Sequence, residues 1–191
     1  MPKISAPTVA EHREAQRRAL LGAAEEIIRE SGVAAVNPRT VGEHAGLARS
    51  SFYEYFPSRD DLLAAVAVQA FDAWATEVDA AVAAAPPGRP RIHAYVEATL
   101  RMTADGKHSL ATGLRDADLS PTSYDAIMAM HDSLAGPLRS LLEELGAPDP
   151  ARQADLVQGM IGAGVQLVGH GADPAEIAGS ITALLDNGLR T

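Results

Sequence analysis

The chain has 191 residues, of which 47% are apolar, and it contains no cysteine. These proportions allow a sizeable core in one or two domains and exclude disulfides, thiolate catalysis and cysteine zinc sites. The net charge is −9, but residues 1–60 hold eight basic and eight acidic side chains, so the acidic excess lies in residues 61–191. The N-terminal part therefore remains able to approach an anion. Because its first residues lack the apolar stretch of a signal peptide, we expect a cytoplasmic protein.

The first predicted elements are an N-terminal arm, residues 1–10, and a helix. Apolar side chains recur at helical spacing from Ala19 to Ile28, and Gly32 ends this stripe. Asn37 followed by proline marks the next helix start, because the Asn side chain accepts an otherwise unpaired amide and proline has none to leave unpaired. The same pair of signals recurs at Ser120, Asp149 and Asp173, and capping-box spacing begins at Thr8 and Ser58.

The stretch HAGLARSSFYEYFPSRDDL, residues 44–62, combines a glycine turn with a short, aromatic-rich helix. We expect one short helix from Pro38 to about His44 and a second from about Ala48 to Phe56. Two short helices joined by a tight glycine-containing turn are typical of a helix-turn-helix. Their apolar residues can pack inward on the first helix, which leaves the polar side chains outward or at the helix ends.

The polar side chains of the second short helix suit the major groove of DNA. Arg49 can donate two hydrogen bonds to a guanine edge. The short hydroxyls of Ser50 and Ser51 let the helix sit deep in the groove. Side chains suited to phosphate oxygens are Tyr53, Tyr55 and, at the start of the following helix, Arg59. A helical surface that is polar for no functional reason is the alternative interpretation.

Helical spacing continues to the end of the chain, and no segment has the alternation of a strand. The further stripes cover residues 63–78, 92–102, 127–145, 156–168 and 177–188. Because Gly136-Pro137 falls inside one of them, we expect a kinked helix there. The segment AAAPPGRPR, residues 83–91, is the predicted linker. The pattern predicts two helical units, residues 1–60 and 61–191, that share a helix starting near Ser58.

Other functional classes have little support in the sequence. Residues 155–173 carry no formal charge between the two terminal aspartates, but they are too short and too rich in glycine for a membrane span of about 20 apolar residues. The run GMIGAG, residues 159–164, is not a dinucleotide loop, because no strand precedes it. Asp105, His108, Asp116 and Asp118 lack the fixed geometry of a metal site, and Ser123, His131 and Asp132 lack an oxyanion hole. We therefore expect no catalytic site, metal or cofactor.

Soft and polar residues on the apolar stripes of the C-terminal part suit a ligand pocket. They are Tyr95 and Met102 on one helix, and Met128 and His131 on the kinked helix. Methionine and leucine around a few polar groups would accept a small, mostly apolar organic molecule. In the alternative interpretation, His131 is a hydrogen-bonded core histidine and the methionines only fill space.

Residues 32–63, GVAAVNPRTVGEHAGLARSSFYEYFPSRDDLL, closely resemble the signature of the tetracycline-repressor (TetR) family of transcriptional regulators. The resemblance implies an all-α fold with an N-terminal three-helix helix-turn-helix DNA-binding domain and a C-terminal helical ligand-binding and dimerisation domain. It also implies a homodimer that represses transcription from a palindromic double-stranded DNA operator and leaves the DNA when a small molecule binds. A ligand-independent DNA-binding dimer and an activator that needs a co-ligand are the alternative functions.

The resemblance also assigns roles by position. It implies base contacts for Arg39, Arg49 and Ser50. Positions that usually meet phosphate or support the helix are Asn37, Ser51, Tyr53, Tyr55 and Arg59, with Thr40 as an addition. Ala48 stands where the family often has a serine, so we expect a recognition helix without a side-chain cap. Glu54 either accepts a hydrogen bond from cytosine or pairs with a neighbouring arginine.

The last two predicted helices, residues 150–170 and 174–189, correspond to the dimer interface that the resemblance implies. Glycines that would permit close helix approach are Gly159, Gly162 and Gly164. Apolar side chains offered to the partner are Ile177, Ile181 and Leu185. Packing of these residues within a single chain is the alternative.

Overall fold

The computed structural model describes residues 9–104 and 135–187, and every regular element in these two ranges is helical. The α-helices are α1 (Val9–Ser31), α2 (Pro38–Ala45), α3 (Arg49–Tyr55), α4 (Arg59–Ala84), α5 (Arg89–Ala104), α6 (Ala135–Glu144), α7 (Pro150–Gly169) and α8 (Pro174–Asn187). A 3₁₀ turn, Val33–Ala35, lies between α1 and α2. The predicted all-α fold is confirmed.

Four of the predicted helix starts have the expected side-chain cap. Asn37 Oδ1 accepts from the amides of Arg39 and Thr40, both at 3.1 Å. Ser58 Oγ accepts from the amide of Asp61 at 3.1 Å. The remaining two caps are Asp149, bonded to the Arg152 amide, and Asp173, bonded to the amides of Ala175 and Glu176. Each cap satisfies amides that the first turn leaves unpaired. The predicted starts at Thr8 and Ser120 lie outside the described residues.

Most of the buried apolar residues in the described ranges form two separate clusters, and α4 contributes to both. The first cluster joins α1, α2 and α3 to the N-terminal half of α4, which supplies Leu63 and Val66. The second cluster joins α5, α6, α7 and α8 to the C-terminal half of α4, which supplies Trp74 and Val78. A helix of 26 residues spans about 39 Å, so α4 is long enough to serve both cores.

The predicted linker at residues 83–91 is shorter than expected and comprises residues 85–88. The chain leaves α4 at Ala84 and enters α5 at Arg89, and these two helices pack against each other. Gly88, with φ of 95°, permits this tight reversal because it has no Cβ. A stretch rich in proline and glycine therefore forms an interhelical loop here. Gly136 and Pro137 lie in the first turn of α6, and the predicted kink concerns residues before it, which lie outside the described ranges.

Candidate nucleic-acid interface

The turn between α2 and α3 sets the direction of α3. Gly46 has φ of 67° and ψ of 27°, the left-handed conformation that ends a helix and that glycine adopts at least cost. The amide of Leu47 donates to the carbonyl of Gly42 at 2.8 Å, which closes the end of α2. Phe52 and Phe56 then enter the first core and are almost fully buried. The predicted helix-turn-helix is therefore present, with one face of α3 anchored.

The opposite face of α3 is polar and accessible. Ser50, Tyr53 and Glu54 are exposed, and Ser51 is half-buried. The ring of Tyr53 packs edge-on against Phe52 at 5.3 Å between centroids, so its position is supported while the residue remains accessible. Arg49 is the first residue of α3, and its side chain is outside the described part of the structure. As expected, Ala48 provides no side-chain cap for this helix.

Arg39 lies on the exposed surface of α2. Its Nε donates to Glu43 Oε1 at 2.9 Å, one helical turn further along. Ion pairs on exposed helix surfaces contribute little to stability because water and salt screen them, so Arg39 can exchange this partner for another anion. Among the predicted base-contacting residues, Arg39 and Ser50 thus have accessible side chains.

Asn37 and Thr40 are used to build the start of α2. The Thr40 hydroxyl donates to the Ala35 carbonyl at 2.9 Å and also accepts from the Asn37 amide at 3.2 Å. The Asn37 side-chain amide donates to the same carbonyl at 3.2 Å. These reciprocal bonds form a capping box that fixes the entry into α2.

Tyr55 and Arg59 connect elements of the N-terminal half. The hydroxyl of Tyr55 donates to Gln16 Oε1 of α1. Arg59, in the first turn of α4, donates through Nε to the Val36 carbonyl at 2.8 Å and through its terminal nitrogen to the Val33 carbonyl at 2.9 Å. The guanidinium therefore joins α4 to the segment that precedes α2.

Sequence reasoning missed the part of α1 that lies beside α3. The guanidinium of Arg13 lies 5.7 Å from the ring centre of Tyr55, and that of Arg17 lies 5.4 Å from the ring centre of Phe56. Both contacts have cation–π geometry, and they place positive charge at the C-terminal end of α3. The i,i+4 spacing of these arginines, on the helix face that continues to Leu20 and Leu21, was the available signal.

A polar contact also connects α1 to the middle of α4. Gln69 Nε2 donates to Glu25 Oε1 at 2.8 Å. Partial burial raises the pKa of Glu25, while Arg29 and this hydrogen bond oppose the rise. Glu25 therefore rests against α4 at some electrostatic cost, between the part of α4 that enters the first core and the part that enters the second.

Two of the four predicted ligand-binding residues are buried, and Tyr95 lies in the second core. Tyr95 is fully buried, receives a hydrogen bond from Gln158 Nε2 at 2.6 Å and packs edge-on against Trp74, with 5.9 Å between ring centres. Burial raises the pKa of Tyr95 above its usual range, so the phenol is neutral. Met102 is also buried. The other two predicted residues, Met128 and His131, lie outside the described residues.

The glycines of α7 divide into two groups. A Cβ at Gly164 would lie 2.9 Å from Ile177 Cγ2, so this glycine allows α8 to pack closely within the same chain. Gly159 and Gly162 have no neighbouring atom within 4 Å of such a Cβ and lie on the exposed face. Exposed leucines accompany them, namely Leu156 and Leu167 on α7 and Leu184 on α8.

Of the three α8 side chains predicted to face a partner chain, Ile181 is buried in the second core of the protomer, so the prediction is wrong for it. Ile177 and Leu185 pack against that core but are only partly buried, so for these two it stays a prediction. The two helices therefore bury one stripe internally and leave another stripe, which includes Leu167 and Leu184, uncovered.

Membrane spans and metal sites find no support in the described part of the chain. Within residues 9–104 and 135–187, no helix has the length and apolar character required to cross a membrane. In the same ranges, no three histidine, aspartate or glutamate residues come together as a metal site. The candidate metal residues at positions 105–118 and the candidate triad at 123–132 lie outside the described residues.

Comparisons with known proteins identify the segment that contains α2 and α3. Residues 20–66 match the TetR_N family model, "Bacterial regulatory proteins, tetR family". A search of curated protein sequences found no match. The chain covers most of several solved structures, at sequence identities that show the fold alone.

One is FadR from Bacillus subtilis in complex with stearoyl-CoA, with a TM-score of 0.77, 19% identity and coverage of 91% of this chain and 99% of that chain. Another is PfmR, a TetR family transcriptional regulator from Thermus thermophilus, with a TM-score of 0.72 and 19% identity. That comparison covers 90% of this chain and 99% of that chain. A third is LfrR, a TetR-like transcriptional regulator from Mycobacterium smegmatis in complex with proflavine, with a TM-score of 0.64 and 22% identity. That comparison covers 94% of this chain and 99% of that chain. The helix-turn-helix part of this chain therefore belongs to the tetR family of bacterial regulatory proteins, and the chain as a whole has the fold of solved TetR-like transcriptional regulators.

Proposed function

We propose that the protein is a homodimeric repressor that binds a palindromic operator through α3 and leaves it when a small, mostly apolar molecule binds the C-terminal half. The observation that carries this proposal is the anchored α2–turn–α3 unit with an accessible polar face. Phe52 and Phe56 hold α3 in the first core, while Ser50 and Tyr53 project outward. A major-groove helix needs this combination of a rigid base and exposed donors.

The predicted DNA-binding residues fall into two groups in this proposal. Arg39, Arg49 and Ser50 contact bases or nearby phosphates, with Ser51 and Tyr53 at the edge of the contact. Asn37, Thr40, Tyr55 and Arg59 hold α2, α3 and α4 in position, because their polar groups are bonded within the domain. Arg13 and Arg17 add positive charge beside α3 and favour the phosphate backbone.

The uncovered stripe of α7 and α8 supports the proposed dimer. Leu167, Leu184 and the open surface at Gly159 and Gly162 would allow two copies to pack helix against helix. Two copies related by a two-fold axis would present two recognition helices about 34 Å apart, on half-sites one turn of DNA apart.

The long helix α4 supports the proposed release by a ligand. Because α4 enters both cores, a displacement in the second core would be carried to its first turn, where Arg59 bonds to the segment before α2. A ligand acts in this way only if it binds the DNA-incompetent arrangement better than the competent one. The stearoyl-CoA complex of FadR and the proflavine complex of LfrR support a small-molecule effector for this fold.

The test is selection of bound fragments from the source genome by the purified protein, followed by affinity measurements across a salt series. We expect a near-palindromic site and an affinity that falls steeply as salt rises. The Arg49→Ala protein should lose about 1–3 kcal/mol of specific binding. The Arg139→Ala protein is the matched control, since it removes the same charge from an exposed position on α6. Normal operator binding by the Arg49→Ala protein would contradict the recognition-helix assignment.

A further inference from the structure

A groove of about 740 Å³ opens on the C-terminal part of the chain, and neither Tyr95 nor Met102 lines it. It lies where the start of α5, the α6–α7 connection, the start of α7 and the end of α8 meet. Its apolar surface is formed mainly by Ile92, Leu142, Leu145, Leu156, Met160 and Leu185. This volume is within the range of about 300–1,000 Å³ that is typical of small-molecule sites.

The apolar surface of this groove is unusually accessible. Leu145 is 42% exposed and Leu156 is 65% exposed, and both are among the large apolar side chains that the described residues leave uncovered. Below them, Leu142 and Val157 belong to the second core, so the groove has a packed floor. Exposed apolar surface above a rigid floor favours a ligand with an apolar body.

At the polar end of the groove, the acidic group has its hydrogen-bond partners within the protein, whereas the arginine has donors to spare. Asp186 of α8 accepts hydrogen bonds from two side chains of α5. Its Oδ1 lies 3.2 Å from a terminal nitrogen of Arg89, and its Oδ2 lies 3.1 Å from His93 Nε2. These bonds, of which the one to His93 matters most, lower the pKa of Asp186. The carboxylate is therefore already served by two donors. Arg89 has five N–H groups and is 62% exposed, so it retains donors for a further anion.

We propose that this groove binds an amphipathic organic monoanion, with its acid group at Arg89 and its apolar body along Leu145, Leu156 and Met160. This inference deepens the proposed function, because it gives the effector a charge class and a place. The titratable groups that line the groove within the described residues are Arg89, His93 and Asp186. A cationic ligand is disfavoured there, since Asp186 is occupied and the other two groups are donors.

Decanoate and decanol are matched probes, because they share an apolar chain and differ in charge. Each is titrated into the full-length protein without DNA, below its aggregation concentration, by isothermal calorimetry. We expect decanoate to bind at least fivefold more tightly than decanol. The Arg89→Gln protein should lose roughly fivefold or more in decanoate affinity and less than twofold in decanol affinity, a loss typical of a partly exposed charge-assisted contact.

Arg101→Gln is the matched control. Arg101 lies on the same helix, is 56% exposed and pairs with Glu77 of α4 at 3.0 Å, much as Arg89 pairs with Asp186. It is absent from the groove lining, and twelve residues of helix separate it from Arg89 by about 18 Å. Both affinities should be unchanged in this variant.

A second variant tests the apolar part of the site. Leu145→Glu places a carboxylate beside the proposed chain position on a side chain that is already partly exposed, so the fold should persist, as a thermal melt would check. We expect decanoate binding to fall more than tenfold, because a like charge and lost apolar contact act together.

Three results would overturn the inference. Absence of heat for both probes would mean that the groove is not such a site, for instance because a second copy of the chain covers Leu156. Equal losses in the Arg89→Gln and Arg101→Gln proteins would indicate non-specific charge attraction. Equal affinity for decanoate and decanol would remove Arg89 from recognition. Operator binding is measured in a separate experiment. The proposed function can therefore hold when the groove fails to bind decanoate, and the groove can bind decanoate when operator binding fails.

Discussion

At the scale of single residues, Gly164 is a position where the packing leaves no room for a larger side chain. A Cβ there would meet Ile177 Cγ2 at 2.9 Å, Leu100 Cδ2 at 3.1 Å and Ile181 Cδ1 at 3.2 Å. Because these side chains come from two other helices and are themselves packed in the core, all three have little freedom to withdraw. Added volume in such a site typically costs about 1–3 kcal/mol.

The Gly164→Ala protein should therefore be less stable than the Gly22→Ala protein by about 1–3 kcal/mol. The comparison cancels helix propensity, since both changes replace glycine inside a helix and a Cβ at Gly22 meets no atom within 4 Å. For a chain of this length the difference corresponds to roughly 2–4 °C in Tm per kcal/mol. Fluorescence of Trp74, the only tryptophan, reports on the core concerned. Equal melting temperatures at matched oligomeric state would contradict the packing argument.

At the scale of elements, α2 depends on its first turn. Asn37 caps the amides of residues 39 and 40, and Thr40 completes the box from inside the helix. A helix of eight residues has little intrinsic stability, so tertiary packing and caps decide whether it forms. The DNA-binding unit therefore needs the Asn37 cap whether or not this residue meets phosphate.

Replacement of the cap separates these two roles. The Asn37→Ala protein should lose about 1–2 kcal/mol of unfolding free energy, because two amides lose their acceptor. The Asn37→Ser protein should keep its stability to within about 0.5 kcal/mol, since serine is a comparable cap. Denaturant unfolding measures both values. Operator affinity should also be retained in the Asn37→Ser protein, and a large loss of affinity with normal stability would show that Asn37 contacts DNA directly.

The elements that were predictable from the sequence are those governed by local rules. The caps at Asn37 and Ser58 and the glycine turn at Gly46 depend on residues within four positions of one another, so their residue types indicate them directly. Arg59 is different, because its acceptors lie 23 and 26 residues earlier in the chain. The burial of Ile181 was not predictable in the same way. Periodicity shows that a helix face is apolar, but it does not show whether the same chain or a partner chain covers that face.

At the scale of the whole molecule, one helix connects two cores and one apolar stripe remains without cover in the protomer. The first core fixes the candidate DNA-binding face, and the second core fixes α7 and α8. Among the described residues, α4 is the element that enters both cores, so a relation between a ligand and DNA can pass through α4 or through the proposed dimer partner of α7 and α8. The dimer is accordingly the feature on which the proposed function depends most.

In the proposed dimer, charge placed on the uncovered stripe should separate the protomers without unfolding them. Leu184 is 41% exposed on α8, so Leu184→Glu should leave the protomer's Tm nearly unchanged. In a symmetric dimer the change occurs twice. Because 41% of Leu184 is exposed, its loss removes about 0.6–1.2 kcal/mol of apolar burial per copy. The cost of burying an unpaired carboxylate adds to this loss, so the dimer should weaken by at least about tenfold. Sedimentation velocity across a dilution series measures this shift.

The control is Val68→Glu, which introduces the same charge at a side chain that is 44% exposed on α4, a helix that packs on α1 and α5. This protein should remain dimeric at the wild-type concentration. The Leu184→Glu protein should also lose operator affinity, because a single recognition helix reaches only one half-site. If it stays dimeric, the protomers meet elsewhere, and the spacing of about 34 Å between recognition helices would have to be produced by another face.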